Sequence, residues 1–212
     1  MKIVQPSANL VWVTPNAERT IEEAGRTCYK SEDKISEESS ARFIKQILSS
    51  GHESVLEHAS ASFRIVTARF TTHQIVRHRL FSYSQESQRY CNYSQDKFDN
   101  GVCFVVPVAL NERWDNEQNE LFILWKNSCN KSEAAYKRLL DYGCKPEVAR
   151  SVLPSSCKTE IVMTGNFRNW RHFLKLRMDS HAQADIRFLA NQIYDQLFEV
   201  APNVFSKETL CK

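Results

Sequence analysis

Apolar positions in this chain follow two rhythms. Over residues 59–67, Ala59, Ala61, Phe63 and Ile65 recur at every second place, which predicts a strand with one buried face. Shorter strand-like pieces lie at 2–5, 10–13 and 158–164, the last carrying Ile161, Val162 and Met163. Elsewhere the spacing is helical. Thr14 and Pro15 read as a cap and first turn for a helix running to about residue 28. Ser36 reads as the cap of a second helix, with Phe43, Ile44, Ile47 and Leu48 on its inner face. Residues 69–78 predict a third. The longest runs over 110–142 and stops at Gly143, a natural residue beyond a helix end, and Pro146 opens a short one. Asn166 and Ser180 cap two more, over 167–178 and 181–200. On the last of these, Phe188, Leu189, Ile193 and Leu197 form a face for the core or for a neighbouring chain, and periodicity favours the core. The balance predicts an α+β class with a small, mostly antiparallel sheet and several helices. No repeat, low-complexity tract or flexible linker divides it, so residues 1–212 read as a single domain.

Composition adds little to that picture. The chain has 212 residues, 42% hydrophobic and 25% charged, as in ordinary globular proteins. A net charge of +3 is too small to argue for nucleic acid. No apolar run is long enough to span a bilayer and no signal peptide is evident, which predicts a cytoplasmic protein without a membrane partner. The seven cysteines, at 28, 91, 103, 129, 144, 157 and 211, have no CxxC spacing and are odd in number. They read as free, mostly buried thiols in a reducing compartment, none in an activating motif.

Charge changes the picture locally. Between Arg64 and Arg89 lie five arginines, two histidines and a single acid, Glu86. Guanidinium forks pair bidentately with phosphate, so this stretch invites an anion. Arg77-His78-Arg79 ends a predicted helix, and a loop containing Ser82, Ser84, Gln85, Ser87, Gln88 and Arg89 follows with neutral donors. Spacing alone leaves a phosphate cradle and a solvated surface loop equally open. A nucleic-acid-binding module is the rival class, because Phe81, Tyr83 and Tyr90 interleave with the arginines of 64–89. Ser87 has no base within the motif to make it a nucleophile. His58 reads as a core histidine on the strand that starts at 59. His52, Glu53 and His58 lack the i, i+4 histidine spacing of a helical metal site, so no metal is expected. Arg150 and Arg177 sit in helical contexts where a surface ion pair is the default.

Five blocks in order make a resemblance specific. They are Gly51-His52-Glu53-Ser54-Val55-Leu56-Glu57-His58, Arg77-His78-Arg79 with Ser87, Val148-Ala149-Arg150 through Pro154, Asn166-Phe167-Arg168 with His172-Phe173, and Leu176-Arg177 through Ala182-Gln183. Together they resemble the flavin-dependent thymidylate synthase (ThyX) family, whose signature is Arg-His-Arg, seven residues, then Ser. The resemblance implies a compact α+β homotetramer with active sites shared between subunits. It implies reductive methylation of dUMP to dTMP, with methylenetetrahydrofolate as one-carbon donor, bound FAD as hydride carrier and NADPH as reductant. This is chemistry that uses no cysteine nucleophile.

By position, the resemblance implies a dUMP set of Gln74, Arg77, Gln85, Glu86, Ser87, Gln88, Arg89, Arg150 and Arg177. Arg177 is the implied catalytic residue, holding the uracil ring, and Arg150 a phosphate ligand. The implied FAD set is His52, Ser54, Arg77, His78, Arg79, Gln85, Asn166, Phe167, Arg168 and His172. Three positions depart from the pattern. Gln85 stands where some members carry glutamate, Glu86 where an apolar residue is common, and His172 where others have asparagine. A carboxylate at 86 is unfavourable near a phosphate unless it points away or pairs with an arginine.

Overall fold

In a computed structural model describing residues 1–98, 100–111 and 120–210, the elements alternate between short strands and helices. In chain order they are β1 (Lys2–Val4), β2 (Ser7–Val13), α1 (Ala17–Thr27), α2 (Ser39–Ser49), β3 (Ser60–Ala68), α3 (Arg69–Ile75), β4 (Ser82–Gln85) and β5 (Cys103–Val105). There follow α4 (Val108–Asn111), α5 (Glu120–Asp141), α6 (Pro146–Ala149), β6 (Lys158–Asn166), α7 (Phe167–Arg177), α8 (Ala184–Val200) and α9 (Lys207–Leu210). One sheet has the order β2-β3-β6-β4, and a second pairs β1 with β5 in parallel, Ile3 opposite Phe104. The class is α+β, as the patterning predicts. Among the described residues no helix is long and apolar enough to cross a membrane.

The chain gathers into two compact units. The first comprises Met1–Ser7, Ile65–Arg77 and Ser84–Ile161. Its core collects Tyr93, Val102, Phe104, Cys129, Tyr136, Ala149 and Cys157. The amides opening α3 would be orphans, and carbonyls of the 155–157 segment satisfy them: Arg69 N–H donates to Cys157 at 3.0 Å and Phe70 N–H to Ser155 at 3.1 Å. Gly143 ends α5 at φ +85°, with its amide and that of Cys144 returned to the carbonyls of Leu140 and Leu139. Of the helix predicted over 110–142, Glu120–Asp141 forms α5, and the stretch 112–119 lies outside the described residues.

The second unit comprises Ala8–Arg64, His78–Tyr83 and Val162–Lys212. Glu22 of α1 is fully buried; it pairs with Arg19 (3.1 Å) and Arg26 (2.9 Å) and accepts the Ser39 hydroxyl at 2.7 Å. Burial of a carboxylate is tolerated because cations and a hydroxyl surround it. On α7, Phe167, Trp170, Phe173 and Leu174 turn inward. The Trp170 indole N–H donates to the Ala61 carbonyl at 3.1 Å, and its ring meets Phe63 at 5.0 Å and Phe81 at 4.7 Å. On α8, Leu189, Ile193 and Leu197 are fully buried, so periodicity chose the core correctly for them, while Phe188 is 41% exposed.

Several predicted caps fall elsewhere. Thr14 does not cap α1, because its hydroxyl accepts the Ser60 amide at 2.9 Å; Asn16 precedes the helix in a left-handed conformation. Ser36 precedes α2 by a turn in which its carbonyl accepts the Ser39 amide. Ser180 lies in a turn organised by Asp179, which accepts the His181 amide at 2.8 Å, and α8 starts only at Ala184. Asn166 does cap α7, its side chain accepting the Asn169 amide at 2.9 Å.

Gly165, next to that cap, carries a close approach: a Cβ built there would overlap the Phe81 ring, itself confined by Trp170. Gly165→Ala is therefore expected to cost about 1–3 kcal/mol by overpacking. Urea denaturation measures it, and a variant as stable as wild type would show that the ring has room to move.

Candidate active site

In the first unit, the segment after Ser84 is braced from several directions. The Gln85 amide donates to the hydroxyls of Thr72 (3.0 Å) and Thr159 (3.2 Å). Glu86 donates its N–H to Glu160 at 2.9 Å, and its carbonyl accepts the Arg69 guanidinium at 2.8 Å. Its carboxylate accepts the Tyr93 hydroxyl at 2.5 Å and pairs with Lys158 at 3.0 Å; Lys158 also pairs with Glu160 at 2.6 Å. Burial, then the Glu86 carboxylate, drives the Tyr93 phenol far above its usual range, so it remains a donor. The acid is thus neutralised by a lysine, where the sequence suggested an arginine.

Ser87 heads the following turn. Its carbonyl accepts the amides of Tyr90 (3.2 Å) and Cys91 (2.9 Å), and its hydroxyl accepts the Arg89 amide at 3.3 Å. Arg89 lies over the Tyr90 ring and pairs with the Glu147 carboxylate at 3.5 Å. The Arg150 Nε donates to the Glu147 carbonyl at 3.3 Å. One residue thereby draws together two arginines expected to bind phosphate. The Arg89–Glu147 pair is half-exposed and long, so it is worth little and exchanges readily for a doubly charged anion. Arg77 is exposed, Gln74 half-buried and Gln88 buried.

In the second unit, a cavity of about 880 Å³ opens between the residues preceding β3, the exposed side of α7 and the segment of α9. Leu48, Gly51, Leu80, Arg168, His172 and Thr209 are among its lining residues. Arg168 pairs with Glu57 at 2.7 Å. Buried Arg171 reaches Glu53 at 3.4 Å and donates to the carbonyls of Val204 and Thr209, which holds the α9 wall in place. The volume lies in the range of cofactor pockets, and the lining is mostly polar, with lysines, arginines and glutamates set among Leu48, Leu80 and Leu210, which suits a charged ligand that also carries an apolar part.

The same unit holds His78, 8% exposed, and Arg177, the last residue of α7. The Arg177 Nε donates to the His78 Nε2 at 2.9 Å. The His78 ring lies edge-on to Phe173 at 4.9 Å and to His172 at 6.1 Å, and its carbonyl accepts the Tyr83 hydroxyl at 2.7 Å. Burial first, then the positive charges of Arg177 and His172, pull the imidazole from 6.5 down to about 4. It is neutral at physiological pH. Partial burial draws Arg177 below the usual guanidinium range while leaving it cationic.

Several expected roles change. Phe167, expected in the flavin set, has its ring fully buried against Phe205 at 4.9 Å, and its amide donates to Ala59. Glu86, expected among the nucleotide ligands, has both carboxylate oxygens, its amide and its carbonyl engaged within the fold, and serves as a brace. His58 is exposed at the end of a 3₁₀ turn, Glu53–His58, because Leu56 and Ala59 take the inward positions there. Residues 82–85 form a strand, where a loop was expected. His52 and Ser54 are exposed; they flank Gly51 and Glu53, which line the cavity. Arg79 is exposed, and Asn166 uses its side chain as the α7 cap. Glu53 and Glu57 are taken up by arginines, and no cluster of metal-binding residues occurs among the described residues. The nucleic-acid reading loses its platform, since Phe81 is buried and Arg69 is turned onto Glu86. Lys158, Glu147 and Arg171 carried no local sequence signal, because their partners Glu86, Arg89 and Glu53 are distant in the chain, and Tyr93 lies in an irregular stretch with no periodicity to mark it.

Residues 9–203 match the family described as thymidylate synthase complementing protein. The flavin-dependent thymidylate synthase of Mycolicibacterium gilvum is 40% identical over 204 residues, covering 88% of this chain and 77% of that protein. The enzyme of the same description from Corynebacterium glutamicum is 36% identical over 220 residues, covering 94% and 84%. Among solved structures, the UMP/dUMP methylase PolB from Streptomyces cacaoi, bound with 5-Br dUMP, superposes with a TM-score of 0.85 at 26% identity, over 100% of this chain and 97% of that one.

The depressed imidazole has a consequence for stability. Between pH 6.5 and about 4 the unfolded chain protonates His78 while the folded chain does not, so wild-type stability falls as pH drops through that window. His78→Gln lacks the effect. Urea unfolding from pH 7.5 to 4 should show the stability difference, wild type minus variant, declining between 6.5 and 4 and flat above. A constant difference would mean that His78 titrates normally.

Proposed function

The chain belongs to the flavin-dependent thymidylate synthase family, and on that premise we propose that it methylates dUMP to dTMP. Methylenetetrahydrofolate is the one-carbon donor and NADPH the reductant. The observation that carries the reading is the Arg177 guanidinium, half-buried and anchored on a buried imidazole in the unit that also contains the large cavity. Such a cation beside uracil stabilises negative charge at N3 and O4 and raises the nucleophilicity of C5. Arg77, Arg89 and Arg150, with Ser87, Gln74, Gln85 and Gln88, take the phosphate and sugar. Arg89 exchanges Glu147 for the phosphate.

The second-unit cavity takes the flavin, with Arg168 and His172 as ligands and His52, Ser54, Arg77, Arg79, Gln85 and Asn166 completing the set from one or more subunits. Bound FAD supplies the hydride chemistry. The protein's own residues bind, orient and polarise the nucleotide, and no cysteine is needed. Burial raises the Cys129 thiol to about 11 and the Cys157 thiol to about 12, which keeps both protonated and unreactive. All 212 residues serve one catalytic domain. The protein works in the cytoplasm as a homotetramer; the exposed Leu121, Ile123 and Leu124 near the start of α5 support contact between copies.

Purified protein should be yellow, and dTMP should form only when dUMP, NADPH and methylenetetrahydrofolate are all present. Formation without folate would end the proposal. Arg177→Ala should retain flavin and lose about 10²–10³-fold in dTMP formation. Turnover equal to wild type would remove Arg177 from the chemistry.

A further inference from the structure

The contact between Arg177 and His78 fixes more than a distance. A guanidinium has no acceptor and keeps its Nε proton, so Arg177 is the donor and the His78 Nε2 must be bare. The imidazole is then the neutral tautomer with its proton on Nδ1. A planar fork held at Nε takes a defined tilt from that acceptor. That acceptor is itself immobile: Phe173 and Phe81 meet the His78 ring at 4.9 and 6.4 Å, and the Tyr83 hydroxyl grips its backbone carbonyl at 2.7 Å. Asn169, about two turns before Arg177 on α7, donates to the Leu80 carbonyl at 3.1 Å and ties the same short segment to that helix.

We propose that His78 is the positioning residue for Arg177, holding its guanidinium, through the bare Nε2, at the angle from which it grips the uracil ring of dUMP. This rests on the reading of Arg177 as the uracil ligand. It gives His78 a duty other than binding the flavin, since the nitrogen facing Arg177 is already committed and only Nδ1–H remains to donate. It also makes the grip sensitive to acid. The titratable and charged groups facing His78 are Arg177 and His172 from α7 and Tyr83 from β4. Protonation removes the acceptor and sets a second cation 2.9 Å from the first. Burial and those same charges keep that from happening until about pH 4.

Two substitutions separate the roles. His78→Phe keeps a ring of similar shape with no acceptor; His78→Gln restores an acceptor near the position of Nε2 and cannot titrate. Flavin content is read from absorbance and dUMP affinity by calorimetry on flavin-loaded protein, alongside kcat/KM for dUMP. His78→Phe should keep its flavin and lose about 10–100-fold in dUMP affinity and kcat/KM, because a small misplacement of a gripping group costs this much. His78→Gln should recover to within about 5-fold of wild type. The ratio of wild type to His78→Gln affinity should fall as pH approaches 4 and be constant above 6.

The proposal is overturned if folded His78→Phe binds dUMP like wild type, if it loses flavin in proportion to dUMP, or if His78→Gln is no better. Should His78→Phe not fold, the affinity ratio of wild type to His78→Gln decides, and a ratio that does not change with pH overturns it. Arg177→Ala binding dUMP as wild type does would instead sink the underlying reading of Arg177, whatever the His78 variants do.

Discussion

The seating of one ring governs where His78 and Arg177 meet. Phe81 is held edge-on to Trp170 at 4.7 Å, over a glycine whose missing side chain makes the space. Residues 78–83 are a short excursion, and Phe81 is what anchors it against α7. With the ring seated, His78 falls beside Phe173, and Arg177 finds its imidazole. Edge-to-face aromatic contacts add about 0.5–1.5 kcal/mol each beyond area burial, so the cluster is a stiff platform, where an isolated polar loop would be loose. The Arg177 end of the helix is therefore positioned by its apolar side.

Charge follows a similar logic of assigned partners. The basic stretch that stands out in the sequence is split by the fold into different jobs. Arg69 supports the backbone of Glu86, His78 becomes a buried neutral acceptor, and Arg77, Arg79 and Arg89 remain at the surface. Acids are distributed to match. Glu86 goes to Lys158 and Tyr93, Glu53 to Arg171, and Glu57 to Arg168. The deeper pairs hold walls, where losing one partner would strand a charge. The exposed pairs, Arg89–Glu147 and Arg168–Glu57, are screened and exchange partners easily.

The α+β class, the strand over 59–67 and the inward face of the last long helix were legible because period is a property of nearby residues. Asn166 was legible as a cap for the same reason. Thr14 and Ser36 were misread because a hydroxyl before a helix is only a candidate, and its partner is decided in three dimensions; Ser60, 46 residues away, claimed Thr14. The site divides along the same line. Arg77, Arg150 and Arg177 were visible through motif blocks, but Lys158, 72 residues from Glu86, carries no mark of its partnership. The buried ring of Phe167 was not legible, because a motif position does not say whether a side chain or the backbone around it is what matters.

A neutral histidine is the least legible feature and the one with the most chemical consequence. In sequence, His78 stands between two arginines and reads as part of a cationic patch. In the fold it is the group that is not charged. Its burial and the neighbouring Arg177 guanidinium suppress protonation, and the absence of that proton lets it accept from Arg177. Were the imidazole exposed, its ordinary titration near 6.5 would leave a sizeable fraction charged at neutral pH. Arg177 would then face repulsion where it needs an acceptor. The Arg-His-Arg run is thus not three similar charges: its flanking residues lie exposed, while its centre acts by staying neutral.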